Sequence, residues 1–335
     1  MRFITFGEIM MRLSTEASST FKTADQFNIN IGGSEMNVAM SLAASSVDTA
    51  IITSLPDNGF GRRTESLLKS NDVKTKHINF TDGRMGTYFL EKGFNVRSSS
   101  VIYDRRNSSF EQSVRSDYDF KRAFQDYDWF HFSGITPALN PELQDVLIDA
   151  LDAAKALGLT ISADLNFRGN LWSFEAARKT MTKFVEYCDV IFGYEPFELI
   201  ENGLEVKDGL ERNPDAETLK PILNQIHETY GISHIAFTQR TTVHTNKNII
   251  KGMISVDGHI SETDAYEIDI LDRIGTGDAY TAGVIHGLMN ELTHENVLHN
   301  ALGNMLYKHT ITGDFLTEDI SGMGSVLDAT REVKR

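Results

Sequence analysis

Along most of its length the chain alternates short apolar runs with segments whose apolar residues recur at helical spacing, and this alternation restricts the possible folds most. Residues 3–6, 50–55, 129–133, 159–165, 189–192 and 234–238 read as strands. Helical patterns fall between them: behind Ser34, from 58 to about 70, at 141–157, from 173 to about 187, and at 216–230. Shorter helices are expected at 119–124 and near 196–202, a turn at 134–137, and a polar surface excursion at 203–215. Ser34 and Ser173 are placed to cap helices, Pro141 suits a first turn, and Gly158 ends the helix before it. Strand–helix–strand repetition implies parallel strands, so the expected fold is α/β: an open, mostly parallel sheet with helices on both faces.

Four segments break that rhythm. Residues 86–91 and 100–105 are β-branched and aromatic-rich and are joined by a polar stretch, as in a hairpin with a long turn. With 27–31 they predict a small second sheet. Residues 248–256, with Gly258 beyond, predict two antiparallel strands, and a helix from about 294 to 308 follows later.

Charge and composition exclude several functions. The 335 residues carry a formal net charge of −15 with no basic block, which disfavours a nucleic-acid surface. An anionic ligand must then be held by local donors and a few arginines against the overall field. No Cys/His cluster has zinc spacing, and the single cysteine, Cys188, lies in an apolar run as a buried thiol. No apolar run approaches the ~20 residues that span a bilayer, and the N-terminus is too polar for a signal peptide. A cytoplasmic protein without a membrane partner is expected.

The chemistry concentrates in Asp272-Arg-Ile-Gly-Thr-Gly-Asp278-Ala-Tyr-Thr-Ala-Gly283. Gly275 and Gly277 permit a tight turn with no side chain between backbone and ligand. Ala279, Ala282, Ile285, Leu288 and Met289 then share one helical face. The N–H groups of Thr276, Gly277 and Asp278 become unpaired donors at a helix start, with the positive end of the dipole behind them. Such a place binds phosphate. A carboxylate there is repelled by the ligand, so Asp278 needs a reason. It either takes the proton of an alcohol attacking the terminal phosphoryl group of ATP, or it caps the helix.

The pattern Asp-x-x-Gly-x-Gly-Asp-x-x-x-x-Gly, with Gly32-Gly33-Ser34-Glu35-Met36-Asn37 about 240 residues earlier, resembles the paired signatures of the ribokinase-like (phosphofructokinase-B type) carbohydrate kinases. The resemblance implies one ribokinase-like α/β domain over 1–335, with a small β-sheet lid contributed by roughly 9–31 and 84–107. It also implies ATP and Mg²⁺ as cofactors and a homodimer formed through the lid. Carried onto this chain, it makes Asp278 the general base, Gly275, Thr276 and Gly277 the anion hole, and Arg168 a clamp on the transferring phosphoryl group.

Asp164-Leu-Asn-Phe-Arg168-Gly-Asn-Leu-Trp172, Phe132-Ser-Gly-Ile135-Thr-Pro137 and Lys308-His-Thr-Ile-Thr-Gly-Asp314 are similar to the branch of the family that phosphorylates 2-keto-3-deoxygluconate. That branch implies transfer from ATP to O6 of the sugar acid, with Gly33, Asn37, Tyr88, Tyr103, Arg105, Ile135 and Asp314 binding it. The chemistry agrees: Tyr103 and Arg105 share a strand face, and a guanidinium grips a carboxylate with paired hydrogen bonds. The alternative makes Tyr88 and Tyr103 lid-core aromatics, Arg105 a solvated charge and Arg168 part of a surface ion pair. The substrate could then be a neutral sugar, as for a fructokinase, or the chain a catalytically silent ligand-binding member.

Three positions depart from the family pattern. Gly193-Tyr-Glu195-Pro-Phe-Glu198 lacks the Asn of an N-x-x-E motif, leaving Glu195 or Glu198 to act on Mg²⁺ through water. Thr238-Gln-Arg240-Thr-Thr-Val243 replaces T-x-G-x-x-G, so the nucleotide is expected at Thr238, Arg240, Gly275 and Gly277. Arg273 stands where Thr, Val or Pro is usual.

Overall fold

A computed structural model describes residues 1–328. The first third contains β1 (Arg2–Phe6), β2 (Met10–Ser14), β3 (Asn28–Gly32), α1 (Ser34–Ala43), β4 (Asp48–Pro56), α2 (Gly59–Ser70), β5 (Val73–Thr81), β6 (Gly86–Glu91) and β7 (Ser100–Asp104). Then come α3 (Phe120–Phe124), β8 (Trp129–Ser133), α4 (Ile135–Leu139), α5 (Pro141–Leu157), β9 (Thr160–Asp164), α6 (Phe174–Val185) and β10 (Val190–Phe192). The remainder is β11 (Ile200–Glu201), β12 (Leu204–Glu205), α7 (Ala216–Tyr230), β13 (His234–His244), β14 (Lys247–Val256), β15 (His259–Glu262), β16 (Tyr266–Asp269), α8 (Thr276–Met289), α9 (His294–His309) and α10 (Ser325–Asp328).

The main sheet runs β15-β14-β13-β10-β9-β8-β1-β4-β5, with β16 also on β14. Pairing is parallel from β13 to β5 and antiparallel where β14 meets β13, β15 and β16. Its central strands are buried on both faces, which is why their sequences are largely apolar, with buried Thr5, His131 and Ser133 among them, rather than alternating. One face packs Phe124, Leu147, Phe184 and Ile226 from α3, α5, α6 and α7; the other packs Met36, Val284 and Leu302 from α1, α8 and α9. Cys188 is a buried core thiol, pushed up by loss of solvent. Among the described residues no helix is long and apolar enough to cross a membrane.

The second sheet, β3-β2-β6-β7, contains the expected hairpin: β6 and β7 pair antiparallel with Tyr88 opposite Tyr103. β2, which the sequence did not distinguish, joins β6 in parallel and β3 in antiparallel fashion. β5 was equally silent, because it is a half-exposed edge strand with little apolar patterning.

Several local expectations are corrected. Residues 134–137 enter a short helix, α4, rather than a turn. No helix forms at 196–202; β11 lies there instead and pairs with β12, at the start of the expected 203–215 excursion, as a two-strand ribbon. Ser34 does not cap α1, whose N-cap is Gly33 without a side-chain bond. β13 continues to His244, six residues past the expected end at 238. α8 is buried from Ala279 to Gly287 on all sides, so its pattern is that of a core helix, with Leu288 and Met289 only half-buried.

Candidate active site

The Gly275–Asp278 turn opens α8 as a cup of free amides. Gly275 is the N-cap at φ 75°, and a Cβ there would lie 1.6 Å from the Asp314 carbonyl oxygen, so only glycine fits. The first helical bond is Ala279 N–H to Gly275 O at 2.9 Å. Among the described residues the N–H groups of Thr276, Gly277 and Asp278 meet no protein acceptor. A Cβ on Gly277 would meet nothing within 4 Å, so the mouth of the cup is open.

Asp278 is the third helical residue and does not cap. Its Oδ1 accepts from Ser34 Oγ at 2.9 Å and its Oδ2 from Asn37 Nδ2 at 2.7 Å. Ser34 in turn accepts from Asn166 Nδ2 at 3.1 Å. The start of α1 can stand this close because Gly33 lies on the chain after β1: a Cβ there would be 2.2 Å from Glu8 O. A carboxylate offers about four lone-pair directions, so two bonds leave room for a substrate hydroxyl.

Burial pushes Asp278 up to about 6, against the hydrogen bonds from Asn37 and Ser34 and the charge of Arg168. Asp164 rises to about 7 through burial and then the charge of Asp278, and Glu35, whose Oε1 accepts from Ser133 N–H at 3.0 Å, rises to about 7 through burial. A base must be deprotonated to act. We therefore expect kcat/KM to climb with pH through about 6 and level off above it, as a pH–rate profile of the free enzyme will test. A flat profile from pH 5 to 8 would exclude Asp278 as the titrating base. Arg168 is exposed, and among the described residues it has no ion pair, which removes the surface-salt-bridge alternative.

β7 and the segments after β8 and β9 enclose a cleft of about 500 Å³, lined by Tyr103, Arg105, Arg106, Leu139, Asn170 and Leu171. Arg105 is not the solvated charge of the alternative reading. It is buried, with Nε donating to Glu8 Oε2 at 2.8 Å, and Ser108 Oγ donates to Glu8 Oε1 at 2.5 Å. Tyr88 and Tyr103 are ring neighbours at 5.7 Å. Tyr88 is buried, while Tyr103 is 37% exposed at the cleft. Ile135 opens α4, its N–H donating to Ser133 Oγ at 3.3 Å.

Asp314 is buried rather than facing open solvent. Its Oδ2 accepts from Tyr88 OH at 3.0 Å and its Oδ1 lies 2.9 Å from Arg12 Nη2. Arg12 also grips Asp272 with both terminal nitrogens, at 3.1 and 2.9 Å. Asp272 then accepts from Ile274 N–H at 3.1 Å, next to the cup. Asp272 opens the glycine motif, but its partner Arg12 is not evident from the sequence pattern; the available signal is an arginine inside the apolar run Met10-Met-Arg-Leu13.

Thr238 and Arg240 do not sit at a strand end. They lie where β13 outruns its parallel neighbour β10, whose last pair is Phe192 with Ala236. Glu195 is held by Arg178 at 2.5 Å and by Lys207 at 3.2 Å, so its charge is already matched. Glu198 lies beside it, its N–H donating to Thr182 Oγ1 at 2.9 Å. Among the described residues no group of three or more His, Cys, Asp or Glu side chains could hold a metal ion. Glu195 and Glu198 thus form no resident Mg²⁺ cage; Mg²⁺ on a nucleotide is held mainly by the phosphates and water.

The model of the pfkB family of carbohydrate kinases matches residues 2–303. A crystal structure of 2-dehydro-3-deoxygluconokinase from Thermotoga maritima superposes with TM-score 0.89 at 35% identity, covering 97% of this chain and 99% of that one. The 2-dehydro-3-deoxygalactonokinase of Haloferax volcanii is 29% identical over 93% of this chain and 92% of its own. The 5-dehydro-2-deoxygluconokinase of Geobacillus kaustophilus is 28% identical over 86% of this chain and 82% of its own.

Proposed function

The chain belongs to the pfkB family of carbohydrate kinases, and from that premise we propose that it transfers the γ-phosphoryl group of MgATP to the primary hydroxyl, O6, of 2-keto-3-deoxygluconate. The observation that carries this reading is a carboxylate, Asp278, fixed by Ser34 and Asn37 at the mouth of an open amide cup. Asp278 takes the hydroxyl proton as the alcohol oxygen attacks the γ-phosphorus, and the bond to the β-phosphate oxygen breaks to leave ADP. The amides of Thr276 and Gly277 and the Arg168 guanidinium stabilise the charge on the phosphoryl group in flight. The acceptor extends from Asp278 toward the cleft by β7, with Gly33, Asn37, Ile135 and Tyr88 along its chain and Tyr103 and Arg105, which line that cleft, at its carboxylate. Asp314, braced by Arg12 and Tyr88, holds that end of the site in place.

The relatives above, named for sugar acids, are 28–35% identical and those named fructokinases 22–24%, which favours a sugar acid over a neutral sugar. ADP release should therefore be fastest with 2-keto-3-deoxygluconate or its C4 epimer and slow with fructose and ribose; turnover of fructose alone would reassign the substrate. The carboxylate grip has its own test. Arg105→Met combined with Glu8→Gln leaves no charge orphaned in the buried pair. It should raise KM for the acid at least about tenfold with little change in kcat, since a hydrogen bond to a charged group contributes roughly 1.5–3 kcal/mol. An unchanged KM would free Arg105 from that role.

The second sheet serves as a lid over the acceptor within a single ribokinase-like domain. Phe27, Ile29, Val101 and Ile102 on its strands and their flanks are exposed, which fits pairing of two copies through this surface. We assign the chain to the cytoplasm, where its nucleotide substrate is found.

A further inference from the structure

Three cations beside the amide cup take no part in the transfer described above, although Arg240 stands where the sequence leads one to expect the nucleotide. Arg240 stands on β13, Arg273 is two residues before Gly275, and Arg212 lies in the loop before α7. That loop is tied to β13: Asn213 Nδ2 donates to Arg240 O at 3.1 Å and Gln239 Nε2 to Pro214 O at 2.5 Å. Arg273 is tied to the cup, because its carbonyl accepts from Thr276 Oγ1 at 3.0 Å. Buried or half-buried arginines elsewhere meet carboxylates, as Arg12, Arg105 and Arg178 do. Among the described residues, Arg212, Arg240 and Arg273 have none.

The cluster is also short of acceptors. Arg240 Nε is buried with no hydrogen-bond partner, a state that a protein tolerates only where something else satisfies it. Burial, and then the charges of Arg273 and Arg212, hold Arg240 below its ordinary value, and burial lowers Arg273 as well. Like charges converging without counter-ions, in a chain of net charge −15, are matched by a ligand carrying several negative charges.

We propose that Arg240 and Arg273, with Arg212 at the rim, form a subsite for the phosphate chain of the donor, continuous with the Gly275–Asp278 cup. The inference deepens the kinase reading and rests on it. The cup takes the transferring group, and the arginines take the phosphates behind it, so the donor is held largely by polyphosphate charge.

Calorimetric titration of the full chain with ATP, ADP, inorganic tripolyphosphate and adenosine, without acceptor, tests this directly. Tripolyphosphate should compete with ATP on the wild-type protein. Arg240→Gln and Arg273→Gln should each raise the Kd of ATP and of tripolyphosphate about tenfold, and Arg212→Gln, on the surface, by less. Adenosine and sugar-acid binding should not change. The unliganded Arg240→Gln/Arg273→Gln protein should melt at or above the wild-type temperature, because a repulsion is removed; a purely structural role would lower it. Failure of tripolyphosphate to compete, or ATP affinity in the double variant within about threefold of wild type, would overturn the subsite while leaving the kinase reading intact. A wild-type protein that binds neither ATP nor tripolyphosphate would overturn both.

Discussion

Asp278→Asn is expected to lower kcat by roughly 10²–10⁴-fold, the usual contribution of a positioned general base, while sugar-acid binding stays measurable. The amide preserves the side chain's shape and can still accept from Ser34 or Asn37 through its oxygen. It cannot take a proton. Asp278→Ala should be at least as slow, since the partners of both carboxylate oxygens are lost together. The size of the effect follows from the setting. Burial lifts Asp278 to about 6, which moves its basicity toward working pH while leaving it ionised at neutrality. Single-turnover phosphoryl transfer, paired with calorimetric binding of the acid, separates chemistry from affinity. A kcat within about threefold of wild type in either variant would remove Asp278 from the proton transfer.

Arg12→Met should destabilise the folded chain by about 3–5 kcal/mol near neutral pH, the range for breaking a buried ion pair from one side. Arg12 is fully buried and spans Asp272 and Asp314, which lie before α8 and after α9. Without it two buried carboxylates are left with only the buried Lys308 as a nearby cation. Burial alone would raise Asp272, yet the Arg12 bond and charge outweigh it and hold the group below the ordinary carboxylate range. A depressed group contributes stability above its unfolded value of about 4, and that contribution fades as pH falls through the folded value. In the variant burial raises Asp272 as well, and Asp314, already raised by burial despite the charge of Arg12, rises further, so protonation relieves both. The gap between wild type and Arg12→Met should therefore be widest near pH 7 and narrow below about pH 4. Urea midpoints at the two pH values measure it, and Asp314→Asn in the Arg12→Met background should recover part of the loss. A gap under about 1 kcal/mol at neutral pH would mean that the cluster contributes little net stability.

Much of the site was legible because its chemistry is local. Gly275, Gly277 and Asp278 are consecutive enough for the backbone turn, the free amides and the carboxylate to follow from a few residues. The Gly33–Asn37 turn was equally readable as a place of close approach, though Ser34 was assigned to a cap. Its hydroxyl instead spans 244 positions to reach Asp278, a pairing that no local pattern encodes. The parallel sheet was readable from its largely apolar strands, whereas β2 and β5 were not, since β2 hides a buried arginine and β5 lies half-exposed at an edge.

The sequence by itself determined the strand–helix order, the amide cup and the identity of the carboxylate within it, because hydrophobic spacing and glycine's freedom act over a few residues. Only the tertiary structure decided which charges meet: Arg105 with Glu8, Arg12 with two aspartates, and Arg240 with two other arginines and no acid. The reason is physical. An ion's pairing depends on distance and dielectric in space, and those are set by how remote segments pack rather than by their order along the chain.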